Sequence, residues 1–144
     1  MKRFFLGVLL LAIILIYPML ISIYVTLPLF IGFAGYLVLQ GIEGRGWPYL
    51  VFPMLYLVNL EINLSLPLLM TLLAVLIYYF LLYPSVLFLK RCKSCVALIS
   101  VLAIDLIYFG LIMIYDFIFA TQSITVNPLL LYSLAMDVIV AVLL

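Results

Sequence analysis

The six basic residues of this 144-residue chain fall at only three places: Lys2/Arg3, Arg45 and Lys90/Arg91/Lys93. The stretches between them are apolar enough to enter a bilayer. A soluble domain covers itself with roughly a quarter charged residues, whereas here the charged share is 8% against 72% hydrophobic. The composition therefore predicts an integral membrane protein, an all-α polytopic fold forming a single transmembrane domain over residues 1–144. Nothing in so small a charge complement provides a basic surface for nucleic acid.

Spans follow from length. Phe4–Ile42 carries no charge, and as one helix it would run about 58 Å, nearly twice a bilayer core of ~30 Å. Pro18 and Pro28 bracket Ser22 and Thr26, so a bend is expected there. A third span starts at Gly46-Trp47-Pro48, with proline in the first turn, and runs to the polar cluster Asn59–Ser65. A fourth covers Leu66–Leu89, a fifth Cys95–Phe117, and a sixth begins at Pro128 behind an Asn127 cap. Basic short loops stay cytoplasmic. Six transmembrane helices with both termini inside put all three basic clusters on one face, leaving Glu61 and the Phe119–Asn127 loop on the other. The start, Met1-Lys2-Arg3 before an apolar run, resembles a signal peptide. Bulky Tyr17–Pro28 offers no small-residue cleavage site, so an uncleaved first helix is expected. Tyr and Trp near span ends fit interfacial belts. No internal repeat is evident, and no loop is long enough for a soluble catalytic domain.

Histidine is absent, which removes metal–histidine sites and Ser–His or Cys–His pairs. Gly41-x-x-Gly44-x-Gly46 reads as a turn, since no Lys-Ser/Thr follows it. No catalytic residue, metal ligand set or cofactor site is expected, and the chain reads as non-enzymatic. Cys92-x-x-Cys95 is half of a zinc motif at most. On a cytoplasmic loop it reads as two reduced thiols at a helix junction.

Acids within the spans are the stronger signal, because a bilayer-centre charge costs roughly 2.5–3.5 kcal/mol on insertion scales. Asp105 lies about 15 Å into the fifth span and Asp137 about 14 Å into the sixth from the opposite face, so both reach the middle of the membrane. Asp116, eleven residues after Asp105, shares its helix face. The two central acids are expected to be protonated, or hydrogen-bonded to Ser100, Ser133 or a tyrosine hydroxyl. Their roles divide between an ion or proton path and interhelical polar glue, and the small size of the chain favours glue. Asn59, Glu61 and Asn63 read as a solvated outer turn with Ser65 capping the next helix. They are also candidates for partner contact, as Lys90, Arg91 and Lys93 are on the inner face.

From Tyr56 to Phe109 the order of features resembles the MreD family of rod-shape-determining membrane proteins. The parts are Asn59-Leu60-Glu61-Ile62-Asn63-Leu64-Ser65-Leu66-Pro67, a long apolar helix over Leu66–Leu89, the basic Lys90-Arg91-Cys92-Lys93, and Val101-Leu102-Ala103-Ile104-Asp105-Leu106-Ile107-Tyr108-Phe109. The resemblance covers little more than a third of the chain. It departs from the family in lacking a glycine-rich helix start and basic C-terminal residues. It implies a non-enzymatic scaffold subunit of the cell-elongation machinery in the bacterial inner membrane. Such a subunit would bind an MreC-like single-span protein and other elongation-complex subunits, coupling the cytoskeleton to peptidoglycan synthesis. The alternatives are the substrate-binding subunit of an energy-coupling-factor transporter, which would want a stripe of small residues on the first helix, and a small proton-coupled transporter, which would want an acid there.

Overall fold

The computed structural model describes residues 1–24, 27–89, 91–120 and 128–143, and within them all regular structure is helical. Six helices follow in chain order: α1 Lys2–Ile23, α2 Ile31–Gln40, α3 Trp47–Asn63, α4 Met70–Leu89, α5 Lys93–Phe119 and α6 Pro128–Leu143. Lys90, Thr26, the Asn127 cap and nearly all of the Phe119–Asn127 loop lie outside the described residues.

Six full spans are not what the chain builds. Among the described residues, three helices are long and apolar enough to cross a membrane: α1, α4 and α5. The bend between Pro18 and Pro28 does occur, but it divides Phe4–Ile42 unequally. α1 takes 22 residues and α2 only 10, so α2 reaches about 15 Å, half of a ~30 Å bilayer core. α3 with 17 residues and α6 with 16 also fall short. For α2 the cause is the non-helical backbone around Pro28, which takes residues that a span count based on hydropathy assigns to helix.

Prolines set the details. Pro18 sits inside α1 and cannot donate to the carbonyl one turn earlier. That carbonyl, on Ile14, accepts instead from Asn59 Nδ2 of α3 at 3.1 Å, with the Leu15 carbonyl at 3.3 Å. Asn63 in turn holds Asn59, donating to its Oδ1 at 2.7 Å and its main-chain oxygen at 2.8 Å. In α4, Pro84 removes another donor, and the Tyr83 N–H reaches back five residues to the Tyr78 carbonyl.

α5 is the centre of the bundle. Its Ala97, Ser100, Val101, Ile104, Asp105, Tyr108 and Ile112 are buried at the three- and four-residue spacing of one helix face. Its Ile104, Tyr108 and Ile112 share one buried core with Leu39 of α2, Leu57 and Leu60 of α3 and Tyr78 of α4. Tyr78 and Ser100 hydroxyls pair at 2.6 Å across the α4–α5 contact. α1 is peripheral, with only Pro18 and Ile21 buried.

Chain direction follows from the turns. α1 reverses into α2, bringing the Tyr17 hydroxyl 2.8 Å from the Pro28 carbonyl. α2 reverses into α3 through Gly41–Gly46, where Gly44 and Gly46 take positive φ and a Cβ on Gly41 would lie 2.7 Å from the Leu50 nitrogen. α1 and α3 therefore run the same way. Lys2/Arg3 and Arg45 share one end of the bundle, and Arg91/Lys93, after α4 has returned, join them there.

The cysteines depart from expectation. Cys92 and Cys95 are joined as a disulfide with Cα atoms 5.2 Å apart, well inside the bridging range. Cys92 is the N-cap of α5, its sulfur accepting from the Cys95 N–H at 3.2 Å. The three-residue spacing at a helix start brings both sulfurs to the same side of the first turn, which favours a bridge over two free thiols.

Candidate functional site

The acids gather where the backbone leaves the helix. Between α1 and α2 the chain runs Leu27-Pro28-Leu29-Phe30, and Phe30 takes a left-handed conformation (φ 53, ψ 32) before α2 begins. Between α3 and α4 it runs Leu66-Pro67-Leu68-Leu69, and Leu69 does the same (φ 65, ψ 7). Each residue of the second segment lies 39 positions after its counterpart in the first. Positive φ is sterically costly for such side chains, so both segments are held by their surroundings. The two share a Leu-Pro-Leu sequence and a left-handed residue at the helix start, a short repeat that hydropathy and composition do not register.

A helix start leaves N–H groups without partners. At α4, Glu61 supplies the acceptors: Oε2 takes the Leu69 N–H at 2.7 Å, while Oε1 takes the Thr71 N–H at 2.8 Å and the Thr71 hydroxyl at 2.7 Å. Glu61 has no exposed surface at all (0%). The expected solvated turn is therefore an interior cap, and Leu69 rather than Ser65 occupies the N-cap of α4. Asn59 and Asn63, candidates for partner contact by sequence, face the chain's own α1 and each other.

At α2 the acceptor is Asp137 of α6, whose Oδ2 takes the Gly32 N–H at 3.0 Å; the Phe33 amide also faces this carboxyl. Thr71 and Gly32 are the counterparts 39 residues apart. Asp105 closes on the same point from α5: a Cβ on Gly32 would lie 2.7 Å from all three atoms of its carboxyl group. The side chains of Asp105 and Asp137 adjoin, and one oxygen of each, Asp105 Oδ2 and Asp137 Oδ1, has no hydrogen-bond partner among the described residues. Ionised carboxylates only accept, so a bond between the two needs a proton on one of them.

The remaining polar groups of this break are also matched. The Leu29 N–H donates to Ser133 Oγ at 3.0 Å, the Tyr56 hydroxyl donates to the Leu29 carbonyl at 2.6 Å, and the Tyr17 hydroxyl donates to the Pro28 carbonyl. Irregular backbone at membrane depth is tolerated only when protein satisfies it. Ser100, Ser133 and the tyrosines thus serve partners other than the expected ones: Ser100 binds Tyr78, and the others bind the broken chain. Asp116, on the same helix as Asp105, lies outside this cluster and is half-buried. Arg91 and Lys93 are exposed at the basic end. The hydroxyl of Tyr108, buried one turn from Asp105, has no partner among the described residues.

Chemically, the arrangement fixes two helix starts by hydrogen bonds from backbone N–H groups to carboxyl oxygens. No group of three or more metal-ligating side chains occurs among the described residues. Comparison with protein-family models, curated proteins and solved structures finds no match to this chain. With three long apolar helices, the chain has the character of a multi-pass helical membrane protein.

Proposed function

We propose that this chain is a non-enzymatic membrane scaffold, and that its setting is the one its MreD resemblance implies: the cell-elongation machinery of a bacterial inner membrane, beside an MreC-like single-span partner. The observation that carries the scaffold reading is the use made of the buried acids. Glu61, Asp105 and Asp137 are all engaged in holding broken helices, so the polar groups of the interior serve shape. α1 adds to it. Its exposed apolar faces, with only Pro18 and Ile21 buried, suit packing against another spanning helix. Under the positive-inside rule the Lys2/Arg3, Arg45 and Arg91/Lys93 end faces the cytoplasm in this reading.

The test is depletion in a rod-shaped host combined with purification in mild detergent. Rounded cells and a co-purifying single-span protein are the expected result. Normal rods after depletion would overturn the elongation setting. Absence of any co-purifying membrane protein would overturn the scaffold role.

A second reading is favoured by one observation, the buried pair of acids Asp105 and Asp137. Ionisable side chains inside a bundle are the kind of group that proton-coupled transporters use. Asp105→Asn and Asp137→Asn distinguish the readings. Both variants keep hydrogen-bonding capacity, so a scaffold retains function in cells, whereas a proton-coupled transporter loses it.

A further inference from the structure

Between α1 and the α2–α3 hairpin lies a cavity of about 590 Å3, lined by Leu10, Ile13, Phe33, Leu37, Tyr49 and Phe52 among others. The polar atoms nearest to it are already used, since the hydroxyls of Tyr17 and Tyr56 both donate to backbone carbonyls of the first break. Leu10 and Ile13 line it while remaining exposed, at 41% and 52%, so it opens sideways through the surface of α1. Its α3 wall runs from Pro48 to Tyr56, about 12 Å at helical rise. At one end of that wall the Arg45 guanidinium stands 5.7 Å from the centre of the Tyr49 ring. Arg45 spends one donor on Gln40 Oε1 at 2.9 Å, and a guanidinium has five. Lys2 and Arg3 belong to the same end.

We infer that this cleft is a binding site for one anionic phospholipid, its acyl chain between α1 and α3 and its phosphate at Arg45 with Lys2/Arg3. An acyl chain is wholly apolar, which matches a wall whose polar atoms are spent. The charge at the mouth selects the headgroup, because basic residues beside a membrane surface attract anionic lipid and arginine pairs with phosphate through two parallel hydrogen bonds. The same wedge explains how α1 remains attached while burying so little: in a bilayer the lipid completes its inner face.

The experiment is native mass spectrometry of the full chain, purified in detergent and stripped of lipid, then titrated with phosphatidylglycerol or phosphatidylcholine. One saturable phosphatidylglycerol, binding more tightly than phosphatidylcholine, is expected. Arg45→Gln should weaken phosphatidylglycerol about fivefold, the contribution of one basic residue at an anionic surface, and should narrow the preference for it over phosphatidylcholine. Ile13→Trp, at an exposed position, should fill the cleft and abolish the saturable site for both lipids, with circular dichroism showing the helices intact. A phosphatidylglycerol analogue carrying a photoreactive acyl chain should label Tyr49 or Phe52. Equal affinity for the two lipids, no effect of Arg45→Gln, or labelling spread evenly over the exposed surface would each overturn the proposal. The lipid site and the scaffold role fail separately, because this titration needs no partner protein.

Discussion

The breaks before α2 and before α4 are built from the same local sequence and stabilised in opposite ways. Before α4, the acid comes from within ten residues upstream. Glu61 satisfies three donors alone, and both of its oxygens are used. Before α2, four helices contribute: Tyr17 from α1, Tyr56 from α3, Asp105 from α5, and Ser133 and Asp137 from α6. The break before α4 is thus a local cap, whereas the break before α2 is a junction that forms only when the bundle has assembled. Similar backbone requirements can be met by one neighbouring side chain or by the whole tertiary structure, and the consequences of mutation should differ accordingly.

The largest effect is expected at the local cap. Glu61→Leu leaves three donors unpaired, two of them buried on Thr71 at ~1–3 kcal/mol each, and should prevent accumulation of folded protein. Glu61→Gln retains one acceptor oxygen and should lose a smaller share. Thermal unfolding in detergent measures both. A Glu61→Leu protein as stable as the parent would show that Leu69 and Thr71 find other acceptors.

Next comes the pair of counterparts, Gly32 and Thr71. Gly32→Ala drives a Cβ to 2.7 Å from the Asp105 carboxyl, and overpacking of this kind costs typically about 1–3 kcal/mol. Thr71→Ala removes one hydroxyl bond to Glu61, about 1 kcal/mol. If Gly32→Ala unfolded at the same temperature as the parent, the close approach of Asp105 to α2 would be in doubt.

How much of this is legible in the sequence depends on the distance over which each signal acts. The helical membrane class, the bend between Pro18 and Pro28 and Pro48 at the start of α3 all follow from local composition and helical rise. The incomplete spans do not, because hydropathy cannot tell helical apolar backbone from a left-handed Phe30 or Leu69. Glu61 reads as solvated because it stands among asparagines, yet those asparagines are occupied in closing the Pro18 gap in α1. The one signal that exposes the site is the spacing of Leu27-Pro28-Leu29 and Leu66-Pro67-Leu68. Two prolines in matching apolar surroundings mark two helix starts, and each helix start needs an acceptor.

A smaller effect should separate the acid pair from Glu61. Asp105→Asn and Asp137→Asn offer an amide donor to the neighbouring carboxyl, and each should change stability little. Asp105→Leu deletes the interhelical bond and should lose about 1–2 kcal/mol. A double-mutant cycle between positions 105 and 137 checks that they act together, whereas 105 with 61 should be additive. Strong coupling between Asp105 and Glu61 would mean that the two breaks are not independent after all.

The smallest effect is expected at the basic end, where neither break is involved. Cys92 and Cys95 are exposed and already fixed at the start of α5, and the bridge closes a very short loop. Its contribution should lie at the low end of the range for disulfides, under about 1 kcal/mol. Replacing both by serine should leave the unfolding temperature nearly unchanged, because a hydroxyl at the N-cap position can cap α5 as the sulfur does. The same pair also tests orientation. Wild-type protein in detergent should react with a maleimide only after reduction; reaction without reductant would show free thiols. In intact cells a membrane-impermeant maleimide should fail even after a permeant reductant, yet succeed in inverted vesicles, if this end faces the cytoplasm. Labelling from outside would reverse the bundle in the membrane. It would also place the bridge in the oxidising compartment where disulfides persist, and move the anionic lipid cleft to the outer leaflet.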